Sequence, residues 1–187
     1  MTKAVSEPVA AVLLILSRHN NEDKVLLTKR SANLRAHAGE VAFPGGKRDP
    51  EDSSFYRTAL RECYEEVGIA EHQLIYCAEM DPHITRSGTN VIPFVVEARD
   101  EPSLILCSEE IESARWVPLD LFLYDRRAMT HVFRRPEREY WAPVYQYEDY
   151  MVWGFTARVM ASFVNRFYGR QIRRYHPSAE EKLFPSR

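Results

Sequence analysis

The stretch FPGGKRDPEDSSFYRTALRECYEEVGI, Phe43 to Ile69, decides the fold. Pro44, Gly45 and Gly46 open it, and a polar run leads into a helical pattern. Phe55, Ala59, Cys63 and Val67 recur every four residues and form one apolar stripe. The pattern predicts a helix over residues 50–67, with Asp49 as N-cap, Pro50 in the first turn and Asp52 completing an approximate capping box. Gly68 supplies the stop. Glu62 and Glu66 are also four apart, so their carboxylates share a face beside the apolar stripe, with Glu65 next to them. Carboxylates crowded on one helical turn repel, and something cationic must offset them: a divalent metal, a basic side chain or bulk solvent. Mg²⁺ suits such a group because it takes oxygen ligands and keeps waters and substrate phosphates in its shell. The plain alternative is a solvated helix with Glu–Arg pairs. Gly45 and Gly46 shift the balance, because a backbone without Cβ atoms lets a phosphate approach closely.

Outward from this unit, Val9 to Ser17 is a continuous apolar run of strand length, suited to a strand covered on both faces. HNNED, His19 to Asp23, is a turn, and Lys24 to Arg30 a second strand, so the two form a hairpin. Ser31 to Gly46 reads as an extended loop. Further strands are expected at Leu74–Met80, Val91–Ala98 and Ser113–Val117, a short helix at Leu119–Tyr124, strand and turn over Trp141–Val152, and a long helix at Gly154–Tyr168. Strands and helices interleave without regular βαβ spacing, which favours a mixed sheet between helices over a doubly wound one. The expected organisation is one domain over residues 1–170 and a loosely held tail over 171–187.

The 187 residues carry 25 basic and 27 acidic side chains, a net charge of -2, so bulk charge does not drive nucleic-acid binding. Hydrophobic residues at 45% and charged ones at 28% exclude wholesale disorder. Cys63, Cys77 and Cys107 are odd in number and lack metal-type spacing, which fits buried thiols in a reducing compartment. The run AAVLLIL, Ala10 to Leu16, is too short to span a bilayer and has no cleavage site after it. These features predict a cytoplasmic protein with no membrane or nucleic-acid partner. The sequence leaves oligomeric state open, a homodimer being one option.

Arg61, Glu62, Glu65, Glu66, Gly68 and Ile69 resemble the core of the Nudix box, the signature of hydrolases that cleave a nucleoside diphosphate linked to another moiety. Aligned from Gly46, the upstream acidic position of the box is Asp52, and one extra residue precedes Arg61. That longer spacing, and the string LLTKRSANLRAHAGEVAFPGG from Leu26 to Gly46, is similar to the coenzyme A pyrophosphatase branch of the Nudix hydrolases. Leu26, Thr28, Arg30, Ser31, Arg35, His37, Gly39, Glu40 and Phe43 stand in register with it, and Trp116–Leu119 and Trp153–Ala157 look similar as well.

The resemblance implies an α+β fold, an α/β/α sandwich around a mixed sheet. It implies metal-dependent hydrolysis of coenzyme A and its thioesters, with Mg²⁺ or Mn²⁺ as cofactor. Other Nudix substrates, such as ADP-ribose, NADH or dinucleoside polyphosphates, and a non-catalytic nucleotide-binding module, are the alternatives. Glu62 and Glu66 would be the principal metal ligands. Glu65 would be a third ligand or orient the attacking water, and Arg61 would hold Glu65. Catalysis would thus fall to Glu65, Glu66 and Arg61, and substrate binding to Arg30, Arg35, His37, Gly45 and Gly46. Arg30, Arg35 and His37 would meet either the 3′-phosphate or the diphosphate, against the alternative that Arg30 pairs with Glu40 to build the loop. Asp49 and Asp52 read as loop-shaping and capping residues. Glu110 is either a late carboxylate for the site or part of a charged loop. His83 and Arg86 either contact substrate or belong to a plain loop. Trp141, Trp153 and Tyr145–Tyr150 form an aromatic wall or simply pack, and Arg134, Arg135 and Arg138 form a basic loop.

Overall fold

The apolar run after residue 9 becomes β1 (Ala10–His19), and Asn21, at a φ of 61°, makes the left-handed turn into β2 (Glu22–Arg30). The computed structural model describes residues 9–19, 21–34, 36–135 and 138–184, with only the backbone of 134, 135 and 138. After β2 come β3 (Val41–Ala42), β4 (Gly45–Lys47) and α1 (Phe55–Val67). Then follow β5 (Leu74–Glu79), β6 (His83–Ile84), β7 (Asn90–Ala98), β8 (Ile111–Pro118) and α2 (Asp120–Leu123). The chain ends with β9 (Met129–Arg135), β10 (Arg138–Tyr147), β11 (Tyr150–Val152), α3 (Gly154–Tyr168) and β12 (Glu180–Phe184).

The first sheet runs β3-β2-β1-β7-β5, with β4 on β1, β6 on β7 and β8 on β2. β1 and β7 are parallel and its other pairings antiparallel, so the sheet is mixed. Successive side chains of a strand point to opposite faces. In β1, Ala11, Leu13 and Ile15 pack with Ala59, Leu60, Cys63 and Val67 of α1. Leu14 packs on the other side with Val159, Met160 and Phe163 of α3. The two long helices therefore cover opposite faces, and the uninterrupted apolar run of β1 serves both cores.

Four expectations are corrected. α1 starts later than its sequence suggests: Ser54 is the N-cap, its side chain accepting from Arg57 N at 3.2 Å. Asp49 is therefore not the N-cap, although Asp52 Oδ2 does accept from Asp49 N at 2.9 Å, as a box between the two would have it. The stretch 31–46 is not all loop, since it contributes β3 and the start of β4. The basic segment around Arg134, Arg135 and Arg138 is the end of β9 and the start of β10, which pair antiparallel; its side chains lie outside the described residues.

The stretch read as a loose tail is tied down. β12 adds in parallel to β9, in a second sheet of order β11-β10-β9-β12. Asn165 Oδ1 accepts from Ile172 N at 2.8 Å, and Arg174 pairs with Glu139 and Glu181. β9 would otherwise present an unpaired edge, and β12 satisfies its backbone groups. Among the described residues no helix is long and apolar enough to cross a membrane.

Candidate active site

β4 lies beside β1 in the sheet and, like β1, packs against helix α1. It pairs Gly45 with Val12, Gly46 with Ala11 and Lys47 with Ala10. A Cβ on either glycine would force a neighbour to move. A Cβ on Gly45 would fall 2.3 Å from Ala11 O, and Gly45 holds a φ of 148°. A Cβ on Gly46 would lie 2.4 Å from the carboxyl carbon of Glu62. Two carboxylates of α1 thus sit directly against bare backbone.

Glu66 is only 3% exposed. Its Oε2 accepts from Gly45 N at 3.1 Å, and Arg30 Nη1 lies 3.5 Å from Oε1. Burial pushes its carboxyl up to about 8. The Gly45 N–H and Arg30 offset part of that, while Glu62 and Glu110 add negative charge. Burial also raises Glu62, and Arg61 pulls it back. The chain has therefore built a negative site whose charge its own cations only partly compensate.

Arg61 organises the rim. Its Nε and Nη2 donate to Asp52 Oδ1 and Oδ2 at 3.2 and 3.0 Å, and Nη2 also donates to Lys47 O at 3.2 Å. Nη1 reaches Glu65 Oε2 at 3.0 Å and lies 3.1 Å from Glu62 Oε1. Asp52 is buried and accepts as well from Asp49 N and Thr58 Oγ1, both at 2.9 Å. Arg61 and these donors hold Asp52 well below the usual carboxylate range. The guanidinium thus ties the β4 loop, the approach to α1 and α1 itself into one unit. Asp52 as its buried anchor is not legible in the sequence, because a nine-residue separation across a helix start follows no period.

Beside this site lies a cavity of about 320 Å³ on the α3 side of the first sheet. Gly45, Gly46 and Arg30 belong to its lining and also contact Glu62 or Glu66, so they connect the cavity to the carboxylates. His37, Lys47, Arg86, Trp153 and Phe155 complete the lining that matters for chemistry. Of the expected substrate residues, Arg30, His37, Gly45 and Gly46 come together here. Arg35 lies outside the described residues. The side chain of Arg30 turns to Glu66; the Glu40 carboxylate instead meets His37 Nδ1 at 2.9 Å, and the Glu40 backbone O accepts from Arg30 N at 3.0 Å.

Trp153 lines the cavity, whereas Trp141 faces a separate groove with Arg158, and Tyr145 and Tyr150 are fully buried packing residues. Arg86 joins the cavity, while His83 lies in the groove with Trp141. Glu110 lies in the turn before β8, exposed, and adds a minor share of negative charge at Glu62 and Glu66. Lys47 gives no sign in the sequence; its place follows from the pairing of β4 with β1.

The donor set suits a hard divalent cation. Glu62 and Glu66 offer carboxylate oxygens one helical turn apart, and the charge of Glu66 is buried with incomplete compensation. Among the described residues no three His, Cys, Asp or Glu side chains converge on one point. Waters and phosphate oxygens would complete the shell, as Mg²⁺ commonly has it.

The NUDIX domain family model matches residues 7–140, most of the chain and all of this site. The chain belongs to the Nudix hydrolase family. A peroxisomal coenzyme A diphosphatase of Caenorhabditis elegans is 39% identical over 160 residues, covering 83% of this chain and 67% of that protein. The mitochondrial Nudix hydrolase 15 of Arabidopsis thaliana is 32% identical over 168 residues, covering 86% of this chain and 59% of that one, so this Nudix chain spans well under two thirds of it. The crystal structure of a MutT/nudix family protein from Enterococcus faecalis covers 88% of this chain and 64% of that chain at a TM-score of 0.57 and 16% identity. At that identity the likeness is one of fold, and it agrees with the mixed sheet and flanking helices of this Nudix hydrolase.

Proposed function

We propose that this Nudix hydrolase cleaves the diphosphate of coenzyme A and of its thioesters. Water adds to one phosphorus, the bridging P–O bond breaks, and the products are 3′-phosphoadenosine 5′-phosphate and 4′-phosphopantetheine or its acyl form. The observation that carries this reading is the position of the Arg30–Lys47 stretch. That stretch lines a cavity next to Glu66, and its Arg30 and two glycines contact the carboxylates. The similarity to the C. elegans coenzyme A diphosphatase supports the same substrate.

In this reading Glu62 and Glu66 hold Mg²⁺ or Mn²⁺. A divalent ion there supplies charge neutralisation for the diphosphate and lowers the pKa of a bound water. Arg61 keeps Glu65 in place to orient the attacking water, and its grip on Asp52 stiffens the helix entry. Gly45 and Gly46 let the diphosphate approach the backbone, and Arg30, 3.5 Å from Glu66, favours its charged form without offsetting the whole cost of burial. The experiment is a substrate panel of coenzyme A, an acyl-coenzyme A, ADP-ribose, NADH and a dinucleoside tetraphosphate, each with Mg²⁺, Mn²⁺ or EDTA. Coenzyme A should be turned over with the highest kcat/KM, and EDTA should abolish turnover. Faster cleavage of ADP-ribose, NADH or the tetraphosphate overturns the substrate assignment, and full turnover in EDTA overturns the metal assignment.

A further inference from the structure

Four basic side chains line the cavity, and they divide into two kinds. Arg30 has an acidic partner in Glu66 at 3.5 Å, and His37 has one in Glu40 at 2.9 Å. Lys47 and Arg86 are both exposed at the cavity, and among the described residues neither has an acidic partner. Two unneutralised cations at one cavity call for an anionic ligand group that the protein itself does not provide.

The strand register explains why they meet. Lys47 pairs with Ala10, Ala10 with Val91, and Val91 with His83. Residues directly opposite each other share a face of the sheet. Lys47, Ala10 and Val91 therefore lie on the α3 face, and two strand spacings, about 10 Å, separate Lys47 from Val91. The turn after β6 carries Arg86 to the same end of the sheet. It is closed by Thr85 N donating to Thr89 O at 2.8 Å and by Gly88 N donating to Thr85 O at 3.1 Å. The floor between the two cations is Ala10 and Val91, small and apolar, and Trp153 and Phe155 offer flat faces for a base or a ribose.

We propose that Lys47 and Arg86 bind the phosphate monoester that coenzyme A carries on its ribose, separate from the diphosphate that is cut. The inference rests on the coenzyme A reading above. It also moves this recognition away from Arg30, whose guanidinium faces the carboxylates of the metal helix. The diphosphate lies toward Glu62 and Glu66, across Gly45 and Gly46, and the ribose phosphate lies at the outer end, across Lys47. A substrate without that phosphate leaves both cations unpaired.

Two measurements test this. The first is kcat/KM for coenzyme A over dephospho-coenzyme A in the wild type, Lys47→Ala, Arg86→Ala and the double variant. Losing a charge-assisted phosphate contact should cost about 10- to 100-fold, so each variant should lower that ratio at least about tenfold. The second, independent of turnover, is calorimetric binding of 3′-phosphoadenosine 5′-phosphate and of AMP to the same proteins. The wild type should prefer the former, and the double variant should bind both alike. An unchanged ratio in folded variants, or equal losses on both substrates, overturns the assignment, as does equal binding of the two nucleotides by the wild type. If the nucleotide preference is present and depends on Lys47 and Arg86 while coenzyme A is not hydrolysed, the proposed activity fails and the phosphate site stands.

Discussion

Gly46 and Glu62 are in such close contact that a Cβ on the glycine would lie within 2.4 to 2.6 Å of the three atoms of the carboxyl group. The obstructed group is the end of a side chain, which can move, whereas at Gly45 the obstruction is the backbone of Ala11 and Val12. The two glycines of the pair therefore do different work: Gly45 is required by the fold, and Gly46 by the position of one carboxylate.

Gly46→Ala should leave the thermal midpoint nearly unchanged and lower kcat by about 100-fold, the scale expected when a reacting group is displaced by about an ångström. Gly45→Ala should instead lower the midpoint strongly. Melting curves and kcat for the two variants check this, and the reverse pattern would refute it.

Glu62→Gln and Glu66→Gln keep side-chain volume and remove a charge from the donor pair. Each should reduce turnover by at least about 100-fold while circular dichroism stays that of the wild type. Near-normal rates in a folded Glu66→Gln protein would show that α1 does not carry the metal.

The metal-free protein should lose stability as pH rises through neutrality. Glu66 is pushed up to about 8 by burial from an ordinary value of 4.5. Between those values the folded state binds the proton and the unfolded state has released it, so stability falls as pH rises across that window. Glu66→Gln should flatten that part of the pH profile of the denaturation midpoint. Mg²⁺, which competes with the proton for the carboxylate, should raise the wild-type midpoint more at pH 8 than at pH 6.

Of the carboxylates around Arg61, the buried Asp52 should matter far more to stability than the exposed Glu65. A double-mutant cycle on Asp52 and Arg61 should give a large coupling. The cycle on Arg61 and Glu65, whose side chain is 56% exposed, should give only about 0.3–0.5 kcal/mol. Similar couplings in urea denaturation would show that Asp52 is not the anchor.

Arg30→Ala should lower kcat/KM by roughly 10- to 150-fold, and equally for coenzyme A and dephospho-coenzyme A, because the side chain faces Glu66 rather than the ribose. Arg30→Lys, which restores the charge, should recover part of the loss. A loss confined to coenzyme A would return the ribose phosphate to Arg30.

Much of this molecule is local, and the local part is legible in the sequence. The period of Phe55, Ala59, Cys63 and Val67 identifies α1 and its buried face, because those side chains must meet a sheet. The same helix period places Glu62 and Glu66 together, and the glycine stop at Gly68, at a φ of 76°, needs nothing beyond its own backbone. The apolar run of β1 shows that both its faces are covered, and they are.

Residues distant in sequence are joined by the sheet and by burial, and no period announces them. Asp49 reads as the N-cap, yet the cap is Ser54, and Asp52, read as part of the capping box, is the buried anchor of Arg61 as well. Arg30 reads as a phosphate ligand, yet β2 ends where its guanidinium reaches the buried Glu66. Arg86 stands in the sequence only as one of two open readings and Lys47 gives no sign at all; they become neighbours of one cavity only because β4, β1, β7 and β6 pair in a particular register. The residues from 171 onward look like a tail because their composition is polar, but β9 has an open edge that β12 closes. The sequence by itself determined which helix carries the carboxylates and which face it buries, since both follow from a repeat of three to four residues. Only the tertiary structure decided which cations remain free to meet a substrate, because that depends on which charges the fold has already paired.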